Sequence, residues 1–205
     1  MDSVTTSPHD HRRCHVLGVP VDACRDVQAA ALGLHANGGG RIVTLNAEMT
    51  MAARDDQQLG AAIQTAQLVI PDGAGVVWAL SKQGVRVVKS AGIELAWSLL
   101  SYAASHGWRV ALIGASPAVM KSLRTSLPQT FPGLNLVLAV DGYQSDEAWP
   151  GLESELKTLQ NDLVLIALGV PRQEHRSQRV NPRQSGLWWG GGGSVDGRGG
   201  TTERA

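Results

Sequence analysis

The side chain best placed for chemistry is Asp72, in the run Leu68-Val69-Ile70-Pro71-Asp72-Gly73-Ala74-Gly75-Val76-Val77. Leu68, Val69 and Ile70 are consecutive branched apolar residues, the pattern of a strand buried on both faces. Pro71 cannot donate to a ladder, so this central strand is expected to stop there. Asp72 then stands just past a strand's carboxyl end, where open α/β sheets gather their ligands. Gly73 and Gly75 allow a tight turn and close approach of a ligand. A carboxylate beside apolar walls can serve as a general base, its pKa raised by those walls. The competing reading is structural, with Asp72 capping the helix that follows by accepting from a backbone N–H. Upstream, residues 41–46 read as a strand carrying Thr44 and Asn46 on one face by its period of two. A right-handed β-α-β connection brings Asn46 and Asp72 to the same edge of a parallel sheet. There, Thr44 and Asn46 either face a ligand or satisfy backbone groups.

Three other turns follow apolar strands. Gly114-Ala115-Ser116-Pro117 has the shape of a phosphate-binding βα loop, with Ser116 capping a helix and Pro117 in its first turn. Asp141-Gly142-Tyr143 presents an aromatic ring, either a core residue, which is the default, or a stacking surface for a base. Gly169-Val170-Pro171 leads into the polar triplet Arg172-Gln173-Glu174, again at the expected ligand edge.

The elements that must position these residues come in alternation. Residues 1–13 are polar, with His9 and His11, and read as a loose terminus. Residues 14–22 read as a short strand or hairpin arm. Helices are expected over 27–36, 47–53, 55–67, 76–83, 93–105 and 119–127, and from Ser145 or Asp146 to 159. Strands are expected over 41–46, 68–70, 108–113, 134–140 and 163–168, with an extended segment at 85–90 and a last short strand at Trp188-Trp189. About six strands alternating with helices imply an α/β, Rossmann-like fold: a mostly parallel sheet with helices on both faces, one domain over 14–205.

Composition excludes several classes. The chain has 205 residues, 43% of them hydrophobic, ample for one large core. Lys+Arg and Asp+Glu are both 18, and this balance argues against nucleic acid as the main partner. Cys14 and Cys24 are expected to be reduced thiols, and no Cys/His cluster has zinc spacing. No apolar run reaches the length of a membrane span and no secretory signal is present. The expected location is the cytoplasm. No strand ends in Gly-x-Gly-x-x-Gly, which makes a nicotinamide dehydrogenase the weakest reading.

Four segments in register carry a resemblance: Thr44-Leu45-Asn46-Ala47-Glu48-Met49, Ile70-Pro71-Asp72-Gly73-Ala74-Gly75, Ala167-Leu168-Gly169-Val170-Pro171-Arg172-Gln173-Glu174 and Gly192-Gly193-Ser194-Val195-Asp196. Lys89-Ser90-Ala91-Gly92 and Gly142-Tyr143 fit the same pattern. In this order they resemble the WecG/TagA/CpsF glycosyltransferase family, from about Leu17 to Arg204. The resemblance implies inverting transfer of an N-acetylmannosamine-type sugar from a UDP donor to a polyprenyl-diphosphate-linked amino sugar. The setting it implies is bacterial cell-surface polysaccharide synthesis at the inner face of the membrane, with peripheral contact there. No metal or other cofactor is implied, and family members can associate into homo-oligomers through apolar helices.

By this resemblance Asp72 is the base, and Thr44 and Asn46 orient the sugar. Gln173 holds donor sugar or phosphate beside Glu174, Tyr143 and Lys89 contribute to substrate binding, and Asp196 accepts from ribose hydroxyls or the uracil edge. The chain also departs from the pattern. Lys89 stands where the family more often has Arg, Val195 where an aromatic residue usually precedes the aspartate, and His175-Arg176 where an aromatic residue follows Gln-Glu. The family normally continues past Arg204-Ala205 into a basic and aromatic tail. A chain lacking that tail is expected to fold and bind nucleotide weakly while turning over slowly or not at all. The alternative function is therefore a catalytically impaired nucleotide-sugar-binding protein of the same fold.

Overall fold

Apolar runs punctuated by Gly, Asn and Asp turns give short strands joined by helices throughout. In a computed structural model, which describes residues 12–87, 92–180 and 185–191, the order is β1 (Arg12–Val16), β2 (Val19–Ala23), α1 (Val27–Ala36), β3 (Gly40–Leu45), α2 (Ala47–Asp55), α3 (Gln57–Gln64), β4 (Leu68–Pro71), α4 (Ala74–Lys82), α5 (Gly92–His106), β5 (Arg109–Gly114), α6 (Pro117–Thr130), β6 (Asn135–Val140), α7 (Trp149–Thr158), β7 (Leu163–Ala167), α8 (Arg172–Val180) and β8 (Leu187–Gly190). β1 and β2 form an antiparallel hairpin, and the other six strands form one sheet in the order β4-β3-β8-β7-β5-β6. Every pair in that sheet is parallel, which makes the fold α/β and Rossmann-like.

The period of two sorts each strand onto two faces. Ile42, Ile70, Leu112, Leu165, Leu187 and Trp189 pack with α1, α5 and α6 on one side. Trp188, Val164, Ile166 and Ile113 pack with α7 and α8 on the other, where Val43, Leu45 and Val69 continue the layer against α2, α3, α4 and the hairpin. Trp188 and Trp189 are both fully buried, one on each face, because β8 lies between β3 and β7. Cys14 and Cys24 are buried free thiols, as expected. Burial, and then the charges of Asp22 and Asp26, push the Cys24 thiol up to about 12.

Four expectations change. The strand carrying Leu68–Pro71 is not central: β4 is the sheet's edge, and its residues are buried because the hairpin covers it. An edge position also tolerates Pro71 as the last strand residue. Arg12 and Arg13 belong to β1 rather than to a loose terminus; residues 1–11, with His9 and His11, lie outside the described residues. The helix after Tyr143 starts at Trp149 and not at Ser145 or Asp146, with no side-chain cap. Buried Trp149 anchors it, with the Arg176 guanidinium 4.3 Å from the ring centroid. Finally, α3 stops at Gln64, because Gln67 turns to the sheet and accepts from the Arg41 backbone N–H at 2.8 Å. The extended segment expected at 85–90 is described only to residue 87. Among the described residues no helix is long and apolar enough to cross a membrane.

The hairpin is fastened to β4 by one fully buried carboxylate. Asp22 accepts from the Val69 backbone N–H at 2.7 Å and from Arg13 through two bonds of 2.8 Å. Arg13 in turn donates to the carbonyls of Ala66 and Gln67 just before β4. An edge N–H that would otherwise recruit another strand is thereby satisfied. Replacing Asp22 with Ala leaves the Val69 N–H buried without its acceptor and Arg13 without its counter-charge, and is expected to cost about 3 kcal/mol in urea denaturation. A loss below about 0.5 kcal/mol would show that the hairpin is held by its apolar face alone.

Candidate active site

The carboxyl ends of β3 and β4 set the first part of the site. Leu45 pairs with Pro71 in parallel register, and the Asp72 backbone N–H donates to the Leu45 carbonyl at 2.8 Å. Asn46 and Asp72, the next residue on each strand, therefore leave the sheet side by side. Asn46 is the N-cap of α2: its Oδ1 accepts from the Met49 N–H at 2.7 Å, leaving the amide Nδ2 to donate elsewhere. Asp72 caps nothing. The N-cap of α4 is Gly73, at φ 82°, a conformation that favours glycine, and no side chain bonds that helix end. Asp72 is half-buried, and among the described residues its carboxylate has no hydrogen-bond or ion-pair partner. The helix-cap reading of Asp72 is thus set aside, and the backbone-satisfying reading holds for one atom of Asn46.

The second part gathers on Gly190, the last residue of β8. The Thr44 hydroxyl donates to the Gly190 carbonyl at 2.9 Å, so it too serves the backbone while its oxygen can still accept. In the first turn of α8, Gln173 and Glu174 turn inward rather than to an open rim, and both are buried. A Cβ on Gly190 would stand 3.2 Å from Gln173 Nε2 and 3.3 Å from Glu174 Oε1, so a side chain there would press both amide and carboxyl back by a few tenths of an ångström. Gln173 Nε2 donates to Glu174 Oε1 at 2.8 Å. Gln173 Oε1 and Glu174 Oε2 are buried without a partner among the described residues, polar capacity that a ligand could use. Burial pushes the Glu174 carboxyl up to about 7, against the opposing pull of the Gln173 bond, its backbone bond and the nearby Arg41 charge.

The third part is on the other flank. Ser116 caps α6, accepting from the Val119 N–H at 3.3 Å, with Pro117 beginning the helix as the sequence implied. Tyr143 is not a core residue: 77% of it is exposed, on a turn held by Asp141 Oδ1 accepting from its backbone N–H at 3.0 Å. It follows β6, four strands across the sheet from β3, roughly 19 Å at normal strand spacing. Asn46 and Asp72 are thus side by side at the ends of β3 and β4, while Thr44 reaches Gly190 from the face of Ile42 and Gln173 and Glu174 reach it from the face of α8; Tyr143 stands apart from them. Lys89 and Asp196 lie outside the described residues.

Arg41 was not singled out from sequence, although a cation opening the apolar run Ile42-Val43 was a signal. It is buried, donating to the Ala62 carbonyl and to Thr65 Oγ1 at 3.0 and 2.7 Å, and its charge acts on Glu174. Among the described residues no group of three His, Cys, Asp or Glu side chains is disposed to hold a metal ion.

The Glu174 shift has a testable sign. The folded protein holds this proton to a higher pH than the unfolded chain does, so stability falls as pH rises from about 4.5 to about 7 and is then level. Melting of wild type and Glu174→Gln between pH 5 and 8 should show wild type losing ground to the variant, by on the order of 3 kcal/mol at most. A difference independent of pH would mean that this carboxyl titrates in the ordinary range.

With that geometry in view, sequence comparison gives the chemistry its class. The model of the Glycosyl transferase WecG/TagA/CpsF family matches residues 14–205, nearly the whole chain. The chain belongs to the WecG/TagA/CpsF family and is a glycosyltransferase.

Proposed function

We propose that this glycosyltransferase moves an N-acetylmannosamine-type sugar from UDP to a polyprenyl-diphosphate-linked sugar, with inversion and without a metal. The setting is bacterial cell-surface polysaccharide synthesis, on the cytoplasmic side of the membrane. The observation that supports the reading is the β3–β4 register, which sets a carboxylate without a partner among the described residues, Asp72, beside the capping amide of Asn46.

In the transfer, Asp72 takes the proton from the acceptor hydroxyl. That oxygen forms a bond to the anomeric carbon from the face opposite UDP. The bond from the anomeric carbon to the UDP oxygen breaks, and the diphosphate leaves with the electron pair. Thr44 Oγ1 and Asn46 Nδ2 orient sugar hydroxyls or the acetamido group. Gln173 Oε1, held by the bond from its own amide to Glu174, meets donor hydroxyls. Charge developing on UDP is met by cations and backbone N–H donors, among which Lys89 is the candidate cation and the loop before α6 the candidate donor set. Tyr143 offers a ring for the base, and Asp196 an acceptor for ribose or uracil. The roughly 19 Å between the flanks suits an elongated ligand such as a nucleotide sugar, whose two ends need different surroundings.

Asp72→Asn should bind UDP within about twofold of wild type by calorimetry, while kcat falls by about 100- to 10,000-fold. Equal rates would remove Asp72 from the role of base. UDP binding with no transfer by wild type, on any UDP-hexosamine and lipid-linked acceptor, would favour a nucleotide-sugar-binding protein instead. Transfer that survives EDTA supports the metal-free chemistry, and transfer abolished by EDTA and restored by a divalent cation would overturn it.

A further inference from the structure

Between α2 and α4 lies a groove that the transfer chemistry does not use. Its volume is about 360 Å³, and it is lined by residues that include Ala47, Met51, Gly75, Trp78 and, from the hairpin tip, Leu17. Five large apolar side chains are exposed among the described residues, and three of them, Leu17 at 62%, Met51 at 51% and Trp78 at 63%, line this one groove. Such clustering marks a contact surface rather than scattered apolar residues. The two polar side chains in the lining are spent on the chain itself: Thr50 Oγ1 donates to the Asn46 carbonyl at 2.8 Å, and Gln83 Nε2 to the His15 carbonyl at 2.9 Å. The groove therefore offers a ligand hydrocarbon contact and little else. Its position is specific. Ala47 directly follows Asn46, and Gly75 lies three residues beyond Asp72, so the groove opens from the first turns of the two helices that begin at the site.

We infer that this groove holds the first stretch of the acceptor's hydrocarbon chain, fixing its head group against Asp72. The inference rests on the acceptor being an amphiphile, as the proposed function has it. Continuity with the site is what selects a chain tethered to the substrate over other apolar occupants. An acceptor seated in this way has its sugar hydroxyl delivered to the base by a contact remote from the reacting bond, which lowers KM for chain-bearing acceptors. Trp78, with the Lys82 ammonium 5.5 Å from its ring centroid, has the aromatic–cation character of groups found where hydrocarbon meets a polar boundary.

The test uses the full chain and two exposed positions outside the catalytic set, Leu17→Ser and Met51→Ser. Geranylgeranyl phosphate, held below its micelle concentration, is titrated by calorimetry and by tryptophan fluorescence, with Trp78→Phe identifying the responding ring. Saturable binding is expected, weakened at least fivefold in the double variant L17S/M51S, with the fluorescence change lost in W78F. Wild type should also transfer to a prenyl-linked acceptor with KM at least tenfold below that for the same head group on a methyl aglycone. The double variant should erase that difference while leaving transfer to the methyl acceptor unchanged. Absence of prenyl phosphate binding, equal binding by the variants, or equal KM for both acceptors overturns the inference. So does a change from oligomer to monomer in L17S/M51S with prenyl binding intact, which would assign the groove to a second copy. Prenyl phosphate binding in the groove without sugar transfer to any acceptor would sink the proposed function alone.

Discussion

Everything at the carboxyl edge depends on β8 sitting in the middle of the sheet. The pair β4-β3 and the trio β7-β5-β6 share no ladder with each other; each is hydrogen-bonded to Leu187–Gly190, four residues long. Trp188 and Trp189 fill one face each, so the strand is held by burial on both sides as well as by its pairings. Its last residue is a glycine, against which Gln173 and Glu174 pack closely. Thr44 reaches the Gly190 carbonyl from β3, and Gln173 and Glu174 close on the same residue from α8. The placement of Thr44, Gln173 and Glu174 is thus tied to the pairing of β8 with its neighbours.

Around that centre the polar groups differ in how they are held. Asn46 is held by its cap, Gln173 by Glu174, and Thr44 by β8. Asp72 alone is left without such a bond among the described residues, at a helix start whose cap is a glycine. A carboxylate with no such bond keeps all of its lone pairs for an incoming proton. Asp72 fits that description, whereas Asp22, Asp26 and Asp56 all accept from the backbone. Glu174 answers to a different constraint. It is buried close to Arg41, and its proton affinity reflects lost solvent more than any partner.

Much of this was legible in the chain. Local chemistry located it: β-branched runs for the strands, Asn46 and Ser116 before helices, and the Trp pair as a final strand. The two-residue period placed Thr44 and the parallel register placed Asn46 with Asp72. What the sequence could not carry was long-range placement. Leu68-Val69-Ile70 reads as a central strand, since burial on both faces looks the same whether a neighbouring strand or a hairpin supplies the cover. Tyr143 leaves core and stacking surface both open in the sequence, and only the turn geometry exposes it. Trp149 displaced Ser145 and Asp146 as the helix start because burying an indole outweighs a side-chain cap. The inward turn of Gln173 and Glu174 brings them against Gly190 of β8, a strand distant in sequence, which no local pattern announces.

The position of β8 also bears on how the protein is made. Translation delivers β3 about 140 residues before the strand that must lie against it, so for most of synthesis one side of β3 has no ladder partner. Native pairings this distant in sequence form slowly and leave strand edges available for wrong partners in the meantime. The pair β4-β3 and the trio β7-β5-β6 therefore cannot be joined into one sheet until Leu187–Gly190 has been made. Folding yield, more than folded-state stability, is where substitutions in Leu187–Gly190 would first be felt in a cell.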